Sequence, residues 1–443
     1  MMKHICTVFL MIFTAFSCEA QKKPNIVILF VDDYGWSDVG YRNPIFHTPH
    51  INELKKEGLE FTRAYVSTPA CSPSRASLLT GKEAVRMEMP RHISGGSEKE
   101  YNFWPKDPAQ MPSRNWLKLE EVTYAEKLKS FGYYNIFIGK WHLGHEPYYP
   151  IHQGFDEQFG VTNASHPKNY YPPYFNVKHN TNNFSKEYGS NEGYLTDVLT
   201  DKAVSFIENY DKEKPFVLSF WYYNVHSPIV GRKDWLKKYK KEGLEGQYAE
   251  YAAMVSATDE SVGRVRKALE VKGIADNTIV LLISDQGGRF TNVPLKGGKL
   301  GGNTLGDGGA RVPFLMYYPN LAKANNVCDV PIQTIDVYPT LVEIASGKPC
   351  NEEQVNGKSI LPLIQGKTLE NRDLFFYRSY EDQYAAVIND DWKLIKYRSG
   401  LHELFNVKED ISERHNLINK KIEIAEVLKK KLSNWEKEAV KQY

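Results

Sequence analysis

Cysteine, excess charge and long apolar runs are all scarce in this chain. Five cysteines are spread over 443 residues. Cys6 and Cys18 lie close to the N-terminus, which leaves Cys71, Cys328 and Cys350 downstream. These three allow no more than one disulfide among themselves. The formal net charge is only +2, so nothing argues for a nucleic-acid partner or a generally basic membrane face. No internal repeat or low-complexity tract is evident. The apolar run Val8-Phe9-Leu10-Met11-Ile12-Phe13 is too short to cross a bilayer. Preceded by Lys3 and His4, it reads as a targeting segment over residues 1–20. Either it is cleaved after Ala20, or Phe16-Ser17-Cys18 is a loose lipoprotein box that makes Cys18 an acylated first residue. Both readings export the protein to the periplasm or beyond, and only a lipid anchor at Cys18 would tie it to a membrane. Export makes a Cys328–Cys350 disulfide permissible, and two free buried thiols are the alternative.

The length suffices for a large core, and one large domain plus a smaller one is the natural expectation. Asn25–Val31 is a continuous apolar run, the mark of a strand buried on both faces of a parallel sheet. It ends in Asp32-Asp33. The pattern recurs: 133–138 runs into Gly139-Lys140-Trp141-His142, 216–221 leads to His226, and 278–283 ends in Ser284-Asp285-Gln286-Gly287. Amphipathic helical stretches lie between the strands, at 48–58, 123–131, 194–210 and 248–271. This alternation predicts an α/β fold: a large mixed, mostly parallel sheet with helices on both faces, and ligands at the C-terminal strand edge. After a helix over 334–346 the pattern changes. Short strands at 374–378, 384–389, 392–397 and 403–405, then a charged helix over 420–441, predict a small antiparallel sheet with a closing helix. The boundary is expected in the polar stretch 350–370, which divides the chain into a larger domain (24–350) and a C-terminal subdomain (351–443).

The stretch Cys71-Ser72-Pro73-Ser74-Arg75-Ala76-Ser77-Leu78-Leu79-Thr80-Gly81 organises the rest. Ser72 is a good N-cap, Pro73 suits the first helical position, and Gly81 can end the helix. Cys71 then sits just outside a helix N-terminus, where free N–H groups favour negative charge. Arg75, about one turn in, can return to the same spot, which suits a sulfur or phosphorus oxyanion.

Cys-x-Pro-Ser-Arg followed by Leu-Thr-Gly resembles the signature of the type I, formylglycine-dependent sulfatases of the alkaline phosphatase superfamily, of the bacterial polysaccharide-sulfatase type. In that family a maturing enzyme oxidises the cysteine to formylglycine, whose hydrate is the nucleophile. The resemblance runs from about Pro24 to Asn416 and includes Gly154-Phe155-Asp156 and Asp391-Trp392-Lys393-Leu394. It implies a metal site made by Asp32, Asp33, Cys71, Asp285 and Gln286. Crowded carboxylates need a neutralising cation, and oxygen ligands suit Ca²⁺, with Mg²⁺ as the alternative. The family usually has Asn or His where Gln286 stands. Gly139-Lys140-Trp141-His142-Leu143-Gly144 resembles a second block, in which Lys140 holds a sulfate oxygen and His142 contacts the formylglycine hydroxyl. His226, in His226-Ser227-Pro228, matches the family's His-x-Pro element. Lys299 matches the substrate-contacting lysine, although Lys296 and Asp307 replace the commoner Arg and Glu, and 300–306 looks like an insertion.

The implied catalytic set is therefore Cys71, Arg75, Lys140, His142, His226 and Lys299. One hydroxyl of the hydrate attacks sulfur, favoured by the cation and Arg75. Ca²⁺, Lys140 and Lys299 stabilise the sulfate oxygens, and His226 is the general acid for the leaving alcohol. His142 takes the remaining hydroxyl proton as sulfate is expelled. The implied substrate is a sulfated polysaccharide or oligosaccharide. A phosphodiesterase or phosphonate hydrolase on the same fold, and a catalytically silent glycan-binding relative, are the rivals. The chain holds 28 tyrosines and 8 tryptophans, which suit carbohydrate contacts and are equally explained by packing. The aperiodic stretch 165–193 carries Asn169-Tyr170-Tyr171-Pro172-Pro173-Tyr174, expected to wall a sugar pocket, with Arg91 and His92 adding contacts to anionic sugars.

Overall fold

The computed structural model describes residues 22–94, 98–104, 111–175, 193–290 and 292–440. The targeting segment, Cys18 included, lies outside the described residues. No described helix is long and apolar enough to cross a membrane.

The architecture follows from strands that are apolar on both faces. The main sheet contains β1 (Asn25–Val31), β2 (Leu59–Phe61), β3 (Tyr134–Gly139), β4 (Glu157–Phe159), β5 (Phe216–Trp221), β6 (Thr278–Ser284), β7 (Phe314–Tyr317) and β8 (Asn326–Cys328). Their spatial order is β8-β2-β7-β6-β1-β5-β3-β4. From β6 to β4 the strands run parallel. β7 is antiparallel to both neighbours, and β8 pairs parallel with β2. This is the mostly parallel, mixed sheet that the apolar runs predict. The periodicity does not reveal β2, β4, β7 and β8, because three- and four-residue strands carry too little pattern.

Side-chain alternation along β1 divides the core. Ile26, Ile28 and Phe30 face one layer, with α2 (Cys71–Thr80), α3 (Tyr124–Ser130) and the helix Val337–Ser346. Val27, Leu29 and Val31 face the other, with α1 (Pro49–Glu57) and the helices Leu195–Asn209 and Gly246–Val271. Each such side chain, fully buried, contributes about 1.5–3 kcal/mol, so β1 is an anchor for both layers. At the head of α3, Thr123 accepts from the Glu126 N–H while the Glu126 carboxylate accepts from the Thr123 N–H. A lysine-rich helix, Lys233–Lys241, was not expected from the sequence; most of its residues are exposed.

Cys328 and Cys350 are both free and half-buried beside the first core, so no disulfide joins them. Ile360, Leu363 and Ile364 pack into that same core. The antiparallel sheet follows as β9 (Asp373–Tyr377), β10 (Gln383–Asn389), β11 (Trp392–Tyr397) and β12 (His402–Asn406), paired in sequence order. One face packs on the closing helix Ile422–Ala439 through Leu428, Leu432 and Trp435. The other rests on Tyr65, Leu305 and Ala310 of the larger unit.

Beneath that second face lies a buried charge cluster. Lys393 donates to Asp307 at 2.7 Å and meets Glu413 at 2.9 Å, with all three side chains inaccessible. Arg311 and the Tyr65 hydroxyl complete the shell of Asp307. Removing the lysine strands two buried carboxylates, which costs about 3–5 kcal/mol. Lys393→Ala should therefore unfold at clearly lower urea concentration than the unaltered chain; an unchanged midpoint would contradict a stabilising role for the cluster.

Candidate active site

Four parallel strands end side by side, and the register decides what meets. Val31 lies opposite Ser284, Phe30 opposite Trp221, and Gly139 opposite Trp221. The ladder continues one step past the strands: Asp285 N–H donates to Val31 O, Lys140 N–H to Trp221 O, and Asp32 N–H to Asn224 O. Asp32, Asp285 and Lys140 thus leave the sheet at one level. A Cβ at Gly139 would lie 2.0 Å from Trp221 O, and its φ is +104°, so only glycine allows this approach. Asp33 and His142 both take left-handed backbone, φ 59° and 55°, which turns the chain sharply beyond each strand.

Helix α2 delivers Cys71 and Arg75 to that edge. Cys71 is the first helical residue, not the residue before the helix, and Ala70 is the N-cap. Ser72 is not the cap, because its Oγ accepts instead from the Ile93 N–H at 3.0 Å. Pro73 falls two places later than expected and still sits in the first turn, where an N–H lacks an intrahelical partner. Gly81 closes the helix in the left-handed region, φ 68°. All ten residues of α2 are buried.

The polar groups converge. Cys71 Sγ lies 3.7 Å from Asp32 Oδ1 and 3.2 Å from Gln286 Nε2. The fully buried Arg75 donates to Asp285 at 2.9 Å and to Lys140 O at 2.8 Å, and stands 3.5 Å from Asp32. Its guanidinium lies 5.4 Å from the rings of both Phe30 and Trp221. Lys140 pairs with Asp32 and Lys299 with Asp33. His226 Nε2 is 3.7 Å from Asp33. Ligand atoms of Asp32, Cys71 and Asp285 lie within 4.8 Å of one another, as do those of Asp33, Cys71 and His226.

The electrostatics follow from burial and pairing. Burial opposes the charge of Asp32, yet Lys140 beside it holds the carboxyl well below the usual range. Asp285 goes the other way, pushed well up by burial and by the adjacent Asp32. Burial also pushes the Cys71 thiol up to about 12, so the unmodified residue is a thiol at neutral pH and a poor nucleophile. Burial and Lys140 hold His142 neutral. Its Nε2–H donates to Ile93 O at 2.9 Å, which leaves Nδ1 as the acceptor, buried and without a hydrogen-bond partner. His226 donates through Nδ1 to Ser227 O at 2.7 Å, and its ring stacks on His166 at 5.4 Å.

The donor set fits a hard divalent cation: Asp32, Asp33 and Asp285 supply carboxylate oxygens in a buried spot whose charges repel. Gln286 departs from that pattern. It presents Nε2 to Asp33 Oδ1 at 2.7 Å and to Cys71, so its oxygen faces a cation only with the amide turned over.

All the residues expected at the site, from Asp32 to Lys299, are brought together. The expected sugar loop is not built as supposed. The Tyr171 hydroxyl accepts from the Lys233 N–H, and the Tyr174 hydroxyl donates to Gly193 O; both rings pack at the edge of the second core. Tyr170 is fully buried and donates to Tyr223 O and His226 O, so it holds the His226 backbone. Arg91 is buried and bonded to Asn102. Ser72, His166 and Tyr170 were missed as supporting residues, since no local pattern marks a side chain whose partner is distant in sequence.

Comparison with known proteins now decides the family. Residues 24–347 match the family described as Sulfatase, and 304–438 match the one described as N-sulphoglucosamine sulphohydrolase, C-terminal. The chain belongs to the sulfatase family. It is 32% identical to N-acetylgalactosamine-6-sulfatase of Rattus norvegicus, over 81% of this chain and 69% of that one. It is 30% identical to a sulfatase of Formosa agariphila over 94% of this chain and 89% of that one. The fold of Ps i-CgsB, solved with k-i-k-neocarrahexaose, superposes with a TM-score of 0.81 at 27% identity, covering 94% of this chain and 93% of that one. The activity is that of a sulfuric ester hydrolase.

Tyr170→Phe in this sulfatase removes one buried hydroxyl and leaves the His226 carbonyl oxygen short of a donor, while Tyr223 O keeps the His226 N–H. The expected loss is about 1–3 kcal/mol of stability, together with reduced turnover as His226 loses its backbone anchor. Full turnover in a folded Tyr170→Phe protein would show that this anchor is dispensable.

Proposed function

We propose that the protein is an exported, formylglycine-dependent sulfatase that removes sulfate from a sulfated carbohydrate. The observation that carries this reading is the convergence on Cys71 of three aspartates, Arg75, Lys140, Lys299 and His226, with His142 tied to the neighbouring Ser72 through Ile93. The relatives named for N-acetylgalactosamine 6-sulfate and for a neocarrahexaose complex support a sulfated glycan as substrate. The leader over 1–20 supports export.

Asp32, Asp33, Asp285 and Gln286, with the residue at Cys71, would hold Ca²⁺, or Mg²⁺ in its place. Bound there, the cation supplies Lewis-acid stabilisation of charge on a sulfate oxygen. Formylglycine at Cys71, made by a sulfatase-maturing enzyme, supplies two geminal hydroxyls, one to attack sulfur and one whose deprotonation expels sulfate.

The protein's own groups do the rest. Lys140 and Lys299 now neutralise Asp32 and Asp33. A cation held by those carboxylates would leave both ammonium groups available to the sulfate oxygens. Arg75 braces the aspartates from below, bonded to Asp285 and to the Lys140 carbonyl. His142 Nδ1 is the free acceptor for a hydroxyl proton. Burial lowers the affinity of His226 for a proton, to a pKa of about 4, against the pull of Asp33. The negative charge of a bound sulfate ester restores part of that affinity, which suits His226 to protonate the departing alcohol.

Three outcomes are expected. Peptide mass spectrometry of active protein from its own host should show an aldehyde in place of the Cys71 thiol, and fully active enzyme carrying the thiol would overturn the mechanism. Chelation should abolish turnover and Ca²⁺ or Mg²⁺ should restore it, while Lys140→Ala should lower kcat by about 10²–10³. Sulfate esters should be cleaved far faster than matched phosphate diesters; the reverse preference would favour a phosphodiesterase.

A further inference from the structure

Near the active site, aromatic rings from three segments meet. His92 follows α2 in sequence, Trp104 lies after the short strand Tyr101–Asn102, and Tyr380 comes from the turn between β9 and β10. The Trp104 and Tyr380 rings are 4.9 Å apart and tilted by 55°. His92 meets both edge-on, at 6.2 and 6.1 Å. Arg378 lies 4.5 Å over the Tyr380 ring.

Hydrogen bonds tie this cluster to the nucleophile. Arg378 donates to Pro69 O, two residues before Cys71. Ile93, the neighbour of His92, bonds to Ser72 Oγ on one side and accepts from His142 on the other. Both flanks of Cys71 are thus fastened to a segment that carries an aromatic ring. The positive fields of Lys299 and Arg378 reach His92 and Tyr380. Yet the cluster is not sealed: Trp104 is 36% exposed, and Phe103 beside it 62%. An exposed tryptophan set edge-on and tilted against two other rings, beside the cationic groups Arg378 and Lys299, is poorly explained by packing alone.

We propose that His92, Trp104 and Tyr380 form the wall on which the sugar ring of the sulfated substrate stacks while its sulfate lies at Cys71. The inference rests on the sulfatase reading above and adds the recognition of the carbohydrate. A pyranose presents C–H hydrogens of slight positive charge on one face, and an aromatic face carries complementary negative potential. The wall is built from both the larger unit and the C-terminal sheet, so sugar recognition needs both. Tyr171 and Tyr174, whose hydroxyls bond within their own surroundings, have no part in it.

The test is equilibrium binding to the full-length Cys71→Ala protein in Ca²⁺ buffer, with inorganic sulfate, N-acetylgalactosamine 6-sulfate and a neocarrahexaose as probes. At least one sugar sulfate should bind at least tenfold more tightly than inorganic sulfate and shift the tryptophan fluorescence. Trp104→Ala should erase that advantage and leave inorganic sulfate binding unchanged, and Trp104→Phe should retain most of it. Circular dichroism and the thermal midpoint establish that each variant is folded. Sugar sulfates that bind no better than inorganic sulfate, or a Trp104→Ala protein that keeps the advantage, overturn the wall alone. Equal weakening of sugar sulfate and inorganic sulfate overturns it too, because a stacking wall does not touch the anion. Failure of every probe, inorganic sulfate included, removes both the wall and the sulfate site beneath it.

Discussion

Charge balance in a buried space governs this structure. Asp32, Asp33 and Asp285 are carboxylates removed from water, and Arg75, Lys140 and Lys299 are the cations set against them. Taking carboxylates out of water is costly unless an opposite charge stands beside them. The balance also explains the arrangement around it. The cations come from three places, helix α2, the end of β3 and the loop after β6, and each must be held at a fixed distance from the same carboxylates. Rigid strands buried on both faces provide that, because a parallel ladder sets where each strand ends to within one residue.

The same demand accounts for the C-terminal sheet. Lys299 lies on a loop that has little regular structure of its own. Its main chain is fastened by Lys299 N–H to Gly288 O and by Gly308 N–H to Lys296 O. Just beyond, Asp307 is clamped by Lys393 of β11, with Glu413 accepting from the Asp307 N–H. The small domain therefore braces the loop that carries Lys299, the ion-pair partner of Asp33. Through Arg378 it reaches the start of α2 as well, and through Tyr380 it contributes to the mouth of the site.

Much of this was legible in the residues. The apolar runs 25–31, 216–221 and 278–283 became strands with nearly those limits, because a strand buried on both faces is mostly apolar until it leaves the sheet. The polar residues at their ends, Asp32-Asp33, Lys140, His142, His226 and Asp285-Gln286, meet for the same reason: they are the first to emerge at the strand edge where ligands bind in such sheets. The sulfatase signature at 71–81 supplied the chemistry that oxygen ligands and a helix N-terminus could suggest only in outline.

Other features had no local trace. The short strands β2, β4, β7 and β8 exist because neighbouring strands offer hydrogen bonds, not because their own residues demand it. Ser72 looked like a helix cap, but Ile93 claims its hydroxyl and the helix begins earlier. Tyr171 and Tyr174 looked like a sugar-binding run, yet their partners are Lys233 and Gly193; Tyr170 turned inward to hold His226. The aromatic wall joins positions 92, 104 and 380, nearly three hundred residues apart at the extremes. Sequence patterns record which atoms neighbour each other along the chain, so they determined the strands, the helices and the reactive set at their ends. Which buried group satisfies which, and which rings share a surface, depends on distances across the packed interior, and only the tertiary structure decided those.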